Sequence, residues 1–312
     1  MNGVIVMDKP EGFTSFDVVA LMRGVCRERK IGHTGTLDPM ATGVLPLLLG
    51  AATRALPFLQ DTDKEYEAGF RLGFATDTQD RTGKTVAESG RRATREQLES
   101  VLTHFRGNIF QTPPMYSAVS VDGHRLYELA RQGKEVEREK RPVTVFRLEL
   151  VEFDEASQSG RLTISCSKGT YIRTLCADIG EALGTYGVMT ALRRTRASGF
   201  TLDGAVTPEE AKSLAAGGFL AEHIHPIESL FAGVPAVRVS AAQTIRVSNG
   251  GALDVERTSL RGLNPAQGSR YRILSPEDTF LALGEVQNNE LAILRLFTPH
   301  RSGGAVSNAP AG

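Results

Sequence analysis

Asp38 is the single carboxylate in the stretch Gly32–Leu45, GHTGTLDPMATGVL, which also holds three glycines, three threonines, one histidine and one proline. Proline disfavours helix for the residue before it, so Asp38–Pro39 marks a turn. Glycine opens backbone angles that other residues avoid. The stretch reads as a Gly- and Thr-rich loop that presents one carboxylate and is anchored by the apolar run from Val44 to Leu49. A carboxylate on such a loop can act as a nucleophile or as a general base. An Asp–Pro turn without chemistry would give the same dipeptide; the length of the whole word favours a site. Further candidates are Tyr66 in KEYEAGFRLG, Tyr171 and Arg173 in KGTYIRTL, and Arg193, Arg194 and Arg196 in ALRRTRASGF. Three arginines in four positions are hard to assign to core packing. Phosphate contacts and structural ion pairs carry equal weight for them.

Other chemistries find less support. Cys26, Cys166 and Cys176 share no CxxC spacing, as expected of buried thiols in a reducing compartment. The six histidines form no HExxH or Cys/His pattern, so no metal site is expected. The run ATDTQDRTG carries Asp77 and Asp80 but lacks the remaining ligands of a calcium loop; Asx turns in a hairpin or loop are expected instead. No Rossmann fingerprint or P-loop occurs, and no cofactor is called for. The opening residues, MNGVIVMDKPEG, lack the apolar region of a signal peptide, and the run near Val44 to Ala52 falls short of the ~20 residues that cross a bilayer. A soluble, cytoplasmic protein is expected, with no membrane association. The formal net charge is zero, which argues weakly against a nucleic-acid partner, although basic clusters exist.

The elements that must position these groups are legible in part. Gly3 to Met7 reads as a strand. Thr14 and Asp17 have capping-box spacing, so a helix should begin near Ser15, with Val18, Leu21, Met22 and Val25 as its apolar stripe. Its far end carries Arg23, Arg27, Arg29 and Lys30, which suit the helix dipole or a phosphate patch. Lys64 to Gly73 alternates, with Tyr66, Ala68, Phe70 and Leu72 on one face. Thr94 and Gln97 open a second helix that should end at Gly107. Strands are expected over Val143 to Val151 and Arg161 to Ser167. The second runs through Lys168 into a helix, which places Tyr171 and Arg173 at a strand–helix junction. Gln132 to Arg141 is highly charged and reads as a solvated loop or helix. Thr207, Pro208 and Glu210 open another helix. From Val234 onward, short strand patterns alternate with Gly- and Asn-rich turns.

The word Gly32–Leu45 resembles the central motif of the TruB family of tRNA pseudouridine synthases, in which the Asp is catalytic. Similar segments recur in the family's order: DKPEGFTS, KEYEA, TDTQD, PPMYSAVSVDGHRLYELAR, KGTYIRTL and LRRTRASGF. Ser120 departs from the pattern, since the family usually has Lys there. The resemblance implies that Asp38 is catalytic and that Arg173 pairs with it. It implies that Tyr66 contacts the target uracil, that Tyr171 and Leu192 wall the base pocket, and that His33 meets the RNA near the flipped nucleotide. Lys9 and Pro10 support the active-site loop, with Lys64 and Asp80 in the neighbouring motifs.

The implied fold is α+β: a mixed, mainly antiparallel sheet with flanking helices, then a small C-terminal β-rich PUA-like domain. The expected domains are a catalytic domain over residues 1–231, with a mobile thumb-like segment at about 114–142, a PUA-like RNA-binding domain over 232–300, and a disordered tail over 301–312. The implied function is isomerisation of uridine to pseudouridine at position 55 in the T-loop of tRNA. The base is flipped, no cofactor takes part, and the protein is a monomer with no obligatory protein partner. A pure RNA-binding module and a metal-dependent hydrolase using Asp38, Asp77 and Asp80 are the alternatives.

Overall fold

A computed structural model describes residues 1–59, 63–117, 119–121 and 123–297. The expected tail, 301–312, lies outside the described residues, as do 298–300. The chain divides into two compact units. The first comprises residues 1, 5–48 and 60–224; the second comprises 2–4, 49–59 and 225–312.

The elements follow the sequence signals. Strand β1 (Gly3–Lys9) is almost wholly buried. Helix α1 (Ser15–Cys26) begins at the expected capping box, with Thr14 and Asp17 bonded reciprocally. Strands β2 (Ile31–His33) and β3 (Thr42–Leu49) flank the Asp38 loop. Strand β4 (Lys64–Leu72) shows the expected alternation, with Tyr66, Ala68, Phe70 and Leu72 buried. The Asp77 and Asp80 loop joins hairpin β5 (Phe74–Thr76) and β6 (Thr85–Glu88). Helix α2 (Arg95–Leu102) stops earlier than expected. A 3-10 turn over Thr103–Phe105 replaces its last turn, and Gly107 then opens β7 (Gly107–Gln111) with φ +79°.

The short pair β8 (Ser120–Val121) and β9 (His124–Arg125) leads into α3 (Leu126–Arg131). Strand β10 (Arg141–Asp154) and β11 (Ser159–Cys166) form a long hairpin. Helix α4 (Ile172–Leu183) follows, then β12 (Gly187–Ala197), β13 (Phe200–Thr201) and α5 (Pro208–Gly217), which α1 packs against.

The main sheet runs β1-β3-β12-β4-β11-β10-β7, with β2 beside β3 and β13 beside β12. Its pairs are mainly antiparallel, but β12 pairs with β3 in parallel. The mixed α+β reading therefore holds. At Gly43 (φ +102°) a Cβ would sit 2.2 Å from the carbonyl oxygen of Arg194, so only glycine lets β3 and β12 approach here. That contact fixes the downstream end of the Asp38 loop.

The second unit is β-rich. Strands β14 (Ala236–Arg238), β15 (Leu253–Asp254), β16 (Arg270–Leu274), β17 (Phe280–Gln287) and β18 (Glu290–Leu296) form a sheet in the order β14-β16-β17-β18-β15. It also contains a helix over Ala241–Ser248, which the strand-and-turn reading did not anticipate. Its core joins Val237, Val247, Ile273, Ala282 and Leu291, among others.

Candidate active site

The Asp38 loop is held from below by three side chains. Lys9, completely buried at the end of β1, donates to the carbonyl oxygens of Pro10 (2.9 Å), Phe13 (2.6 Å) and Pro39 (3.3 Å). Ser15 Oγ accepts from the Leu37 N–H at 2.8 Å and returns a bond to the Leu37 carbonyl. Arg194, also completely buried, donates from Nε to the Val44 carbonyl at 2.7 Å, from Nη2 to Gly35 at 3.0 Å and from Nη1 to Thr36 at 3.3 Å. Backbone groups on both sides of Asp38 are thereby tied to β1, α1 and β12. Burial of a polar group is tolerated when it is hydrogen-bonded in this way.

Above that support, Arg173 reaches Asp38 from the second position of α4. Its Nε lies 2.9 Å from Asp38 Oδ2 and its Nη2 lies 3.1 Å from Oδ1, a two-pronged pair. Two of the three remaining guanidinium hydrogens go to the carbonyls of Thr78 (3.2 Å) and Tyr116 (2.9 Å). Asp80 Oδ2 stands 3.9 Å from the same guanidinium, while its Oδ1 accepts from the Thr78 and Thr82 hydroxyls and the Thr82 N–H. The Arg173 side chain is 6% exposed and the Asp38 side chain 34% exposed, so the carboxylate keeps an open side.

The open side faces a cavity of ≈ 590 Å³. His33, Asp38, Lys64, Tyr66, Tyr171, Arg173 and Leu192 all line it. Seven of the expected site residues thus converge, drawn from four separate segments. Lys9, Pro10 and Asp80 are not among its lining residues: the first two sit under the loop and the third touches Arg173. Tyr171 is aimed through its backbone, because the Gln111 side-chain amide accepts from its N–H (2.9 Å) and donates to its carbonyl (3.2 Å). Leu192 is placed by register, opposite Ala68 in the β12–β4 pair. Asp77 does not join Asp38 and Asp80 in a ligand set: its Oδ1 accepts from the Lys84 N–H within the hairpin turn. Among the described residues, no group of three or more His, Cys, Asp or Glu is arranged to hold a metal ion.

The electrostatics follow from burial around one cation. Burial, reinforced by Arg194, pushes the Lys64 ammonium and the His33 imidazole down from their ordinary values. Burial likewise lowers Lys9 to about 8. Tyr66 moves the other way: burial raises its phenol to about 12, opposed by the adjacent Arg194. The desolvated environment disfavours each charged form. Tyr66 therefore enters the cavity as a neutral ring throughout the neutral range. A difference titration of tyrosinate absorbance between the wild type and Tyr66→Phe should show this residue ionising near pH 12, with no wave near pH 10.

Sequence reasoning left several supporting groups unassigned. Ser15 was legible only as a helix start, and Gln111 and Tyr116 gave no signal for their contacts. The three arginines of β12 divide in a way that the patterning did not foresee. Arg193 pairs with Asp8 at 2.7 Å and Arg196 with Glu65 at 3.2 Å. Arg194 is in the core after all, and among the described residues no carboxylate pairs with it.

Comparison with known proteins identifies the family. The family described as TruB family pseudouridylate synthase (N terminal domain) matches residues 23–172, and the tRNA pseudouridylate synthase B C-terminal domain matches residues 173–232. The chain belongs to the TruB family. It is 45% identical to the tRNA pseudouridine synthase B of Azoarcus sp. (strain BH72), over 95% of each chain. It is 42% identical to the enzyme of that name from Geobacter sulfurreducens, over 95% of this chain and all of the relative. Among solved structures it resembles one of a Cbf5-Nop10-Gar1 complex, with TM-score 0.73 and 28% identity over 96% of this chain and 85% of that one. It also resembles an archaeal box H/ACA sRNP Nop10-Cbf5 complex, with TM-score 0.72 and 26% identity. As a TruB-family member the chain is a pseudouridine synthase, an isomerase. No helix among the described residues is long and apolar enough to cross a membrane.

Proposed function

We propose that this TruB-family chain converts uridine to pseudouridine in tRNA, at position 55 of the T-loop, with Asp38 as the catalytic carboxylate. The observation that carries the reading is the two-pronged Asp38–Arg173 pair on the wall of a cavity of nucleoside size, with the open carboxylate edge toward that cavity. The naming of the curated relatives supports tRNA as the substrate.

The reaction breaks the C1′–N1 bond, turns the uracil and joins C1′ to C5. N1 gains a proton and C5 loses one, so atoms balance without an oxidant or an added group. Asp38 serves as nucleophile at C1′ or as base at the ribose; both roles need the same carboxylate, held by the same guanidinium. The target base leaves its stack, at a cost of a few kcal/mol. Tyr66 stacks on it, Tyr171 and Leu192 wall it, and His33 fills the gap left behind. Lys9, Pro10, Lys64 and Asp80 hold the loop and the guanidinium in place.

In this reading residues 1–231 form the catalytic domain, with the segment at about 114–142 closing over the RNA as a thumb. Residues 232–300 form a PUA-like RNA-binding domain. The protein acts as a cytoplasmic monomer on the T-arm, without a protein partner.

The deciding experiment incubates the protein with unmodified tRNA and maps pseudouridine along the product. A single new pseudouridine at T-loop position 55 is expected; none, or one elsewhere only, would refute the assignment. Titrating tRNA affinity against salt should give a linear loss on logarithmic axes, since phosphate contacts release counterions. A flat response would remove the basic clusters from the interface.

A further inference from the structure

The helix that supports the Asp38 loop also carries an exposed stripe that the site described above does not use. Phe16, Ala20, Arg23 and Arg27 fall at steps of four, three and four, so they line one face of α1 and its cap, and all four are exposed. Phe16 is 63% exposed and is among the residues that line the Asp38 cavity. The Arg23 guanidinium carbon lies 5.6 Å from the centre of that ring. The Asp17 carboxylate accepts from the Thr14 N–H and hydroxyl at the N-terminal end of the helix.

We propose that Phe16 is a stacking shelf for a nucleobase that flanks the isomerised uridine, with Arg23 and Arg27 following the phosphates of the same strand. The proposal rests on the reading of the cavity as a uridine site. What singles Phe16 out is its place at the mouth of the catalytic pocket, where a flanking base would pass, and every base has a π-face that fits the ring. The guanidinium beside the ring suits a nucleic acid, which brings a flat base and an anionic backbone together. The backbones of Arg23 and Arg27 lie about 10 and 16 Å along the helix axis from that of Phe16, and the Arg23 guanidinium folds back to the ring. A base that leaves its stack for the cavity exposes its neighbours, and Phe16 takes over the stacking of one of them.

The test measures the affinity of the full chain for an unmodified tRNA transcript. Every protein carries Asp38→Asn, so that binding is read without turnover. Phe16→Leu keeps an apolar side chain at an exposed position and removes the π-face. Its dissociation constant should rise at least about fivefold, the lower end of what one base–aromatic stack supplies. Phe16→Trp should restore the parental value. Arg23→Gln should reduce the salt slope by about one. A smaller loss in Phe16→Leu, or a Phe16→Trp protein as weak as Phe16→Leu, overturns the shelf. An unchanged slope in Arg23→Gln removes the strand track. These failures leave pseudouridine formation by the wild-type chain intact. Failure of the underlying reading would instead show as no product from the wild type.

Discussion

Asp38→Asn should abolish turnover, lowering kcat by at least about 10⁴-fold, while tRNA affinity stays within a few-fold of wild type. The magnitude is that of removing a reacting group which no neighbour replaces. Lys9, Lys64 and His33 surround the site but cannot supply a carboxylate. Asp80 is committed to the Thr78 and Thr82 hydroxyls and the Thr82 N–H through Oδ1, and its Oδ2 stands against Arg173. The amide has nearly the same shape, so the loop should keep its course: Ser15, Lys9 and Arg194 all grip backbone atoms rather than the Asp38 side chain. One local fault is expected. Asn offers one acceptor where Asp offers two, so either the Nε or the Nη2 of Arg173 loses its partner. Single-turnover kinetics and binding, measured on the same preparation, separate the two effects. An Asn variant that still forms pseudouridine within tenfold of the wild-type rate would show that another group does the chemistry. A variant that loses tRNA binding would show that Asp38 holds the substrate rather than transforms it.

What the sequence disclosed, and what it did not, divides along a physical line. The alternation in β4 and the reciprocal caps at Thr14, Thr94 and Thr207 are local signals, and the structure carries each of them. The Asp38 loop was legible because it is a long word of unusual residues. The meeting of Arg173 with Asp38 was not local, and only the family resemblance suggested it; the geometry brings the two together across 135 residues of chain. The Ser240–Gln243 capping box was present in the sequence, but the surrounding strand patterns hid the helix that it opens. Arg194 could not be read from patterning. A buried arginine normally advertises itself through a carboxylate partner, whereas this one bonds to carbonyl oxygens, which every residue possesses.

That same invisibility makes Arg194 the more consequential test. Its guanidinium bridges Gly35 and Thr36, just ahead of Asp38, to Val44, just beyond the loop, so one rigid fork spans both ends. Arg194→Met strips three carbonyls, that of Val44 buried, of their donor at once. Each bond to a charged group contributes about 1.5–3 kcal/mol, with incomplete additivity, so the loss should be on the order of 3 kcal/mol or more. For a unit of this size that corresponds to a fall in Tm of roughly 6–12 °C. Stability alone would not distinguish a loop clamp from an ordinary core residue. Arg194→Lys does. An ammonium on a flexible stem keeps the buried charge and reaches one or two carbonyls, yet it cannot hold both ends of the loop in one plane. It should recover much of the lost Tm while kcat stays about 10²-fold down, the penalty for displacing a catalytic group by about 1 Å. If the Lys variant instead turns over like wild type, the loop is positioned by Lys9 and Ser15 without the fork. If both variants lose activity only in proportion to the fraction unfolded, Arg194 is a stabilising core residue and nothing more.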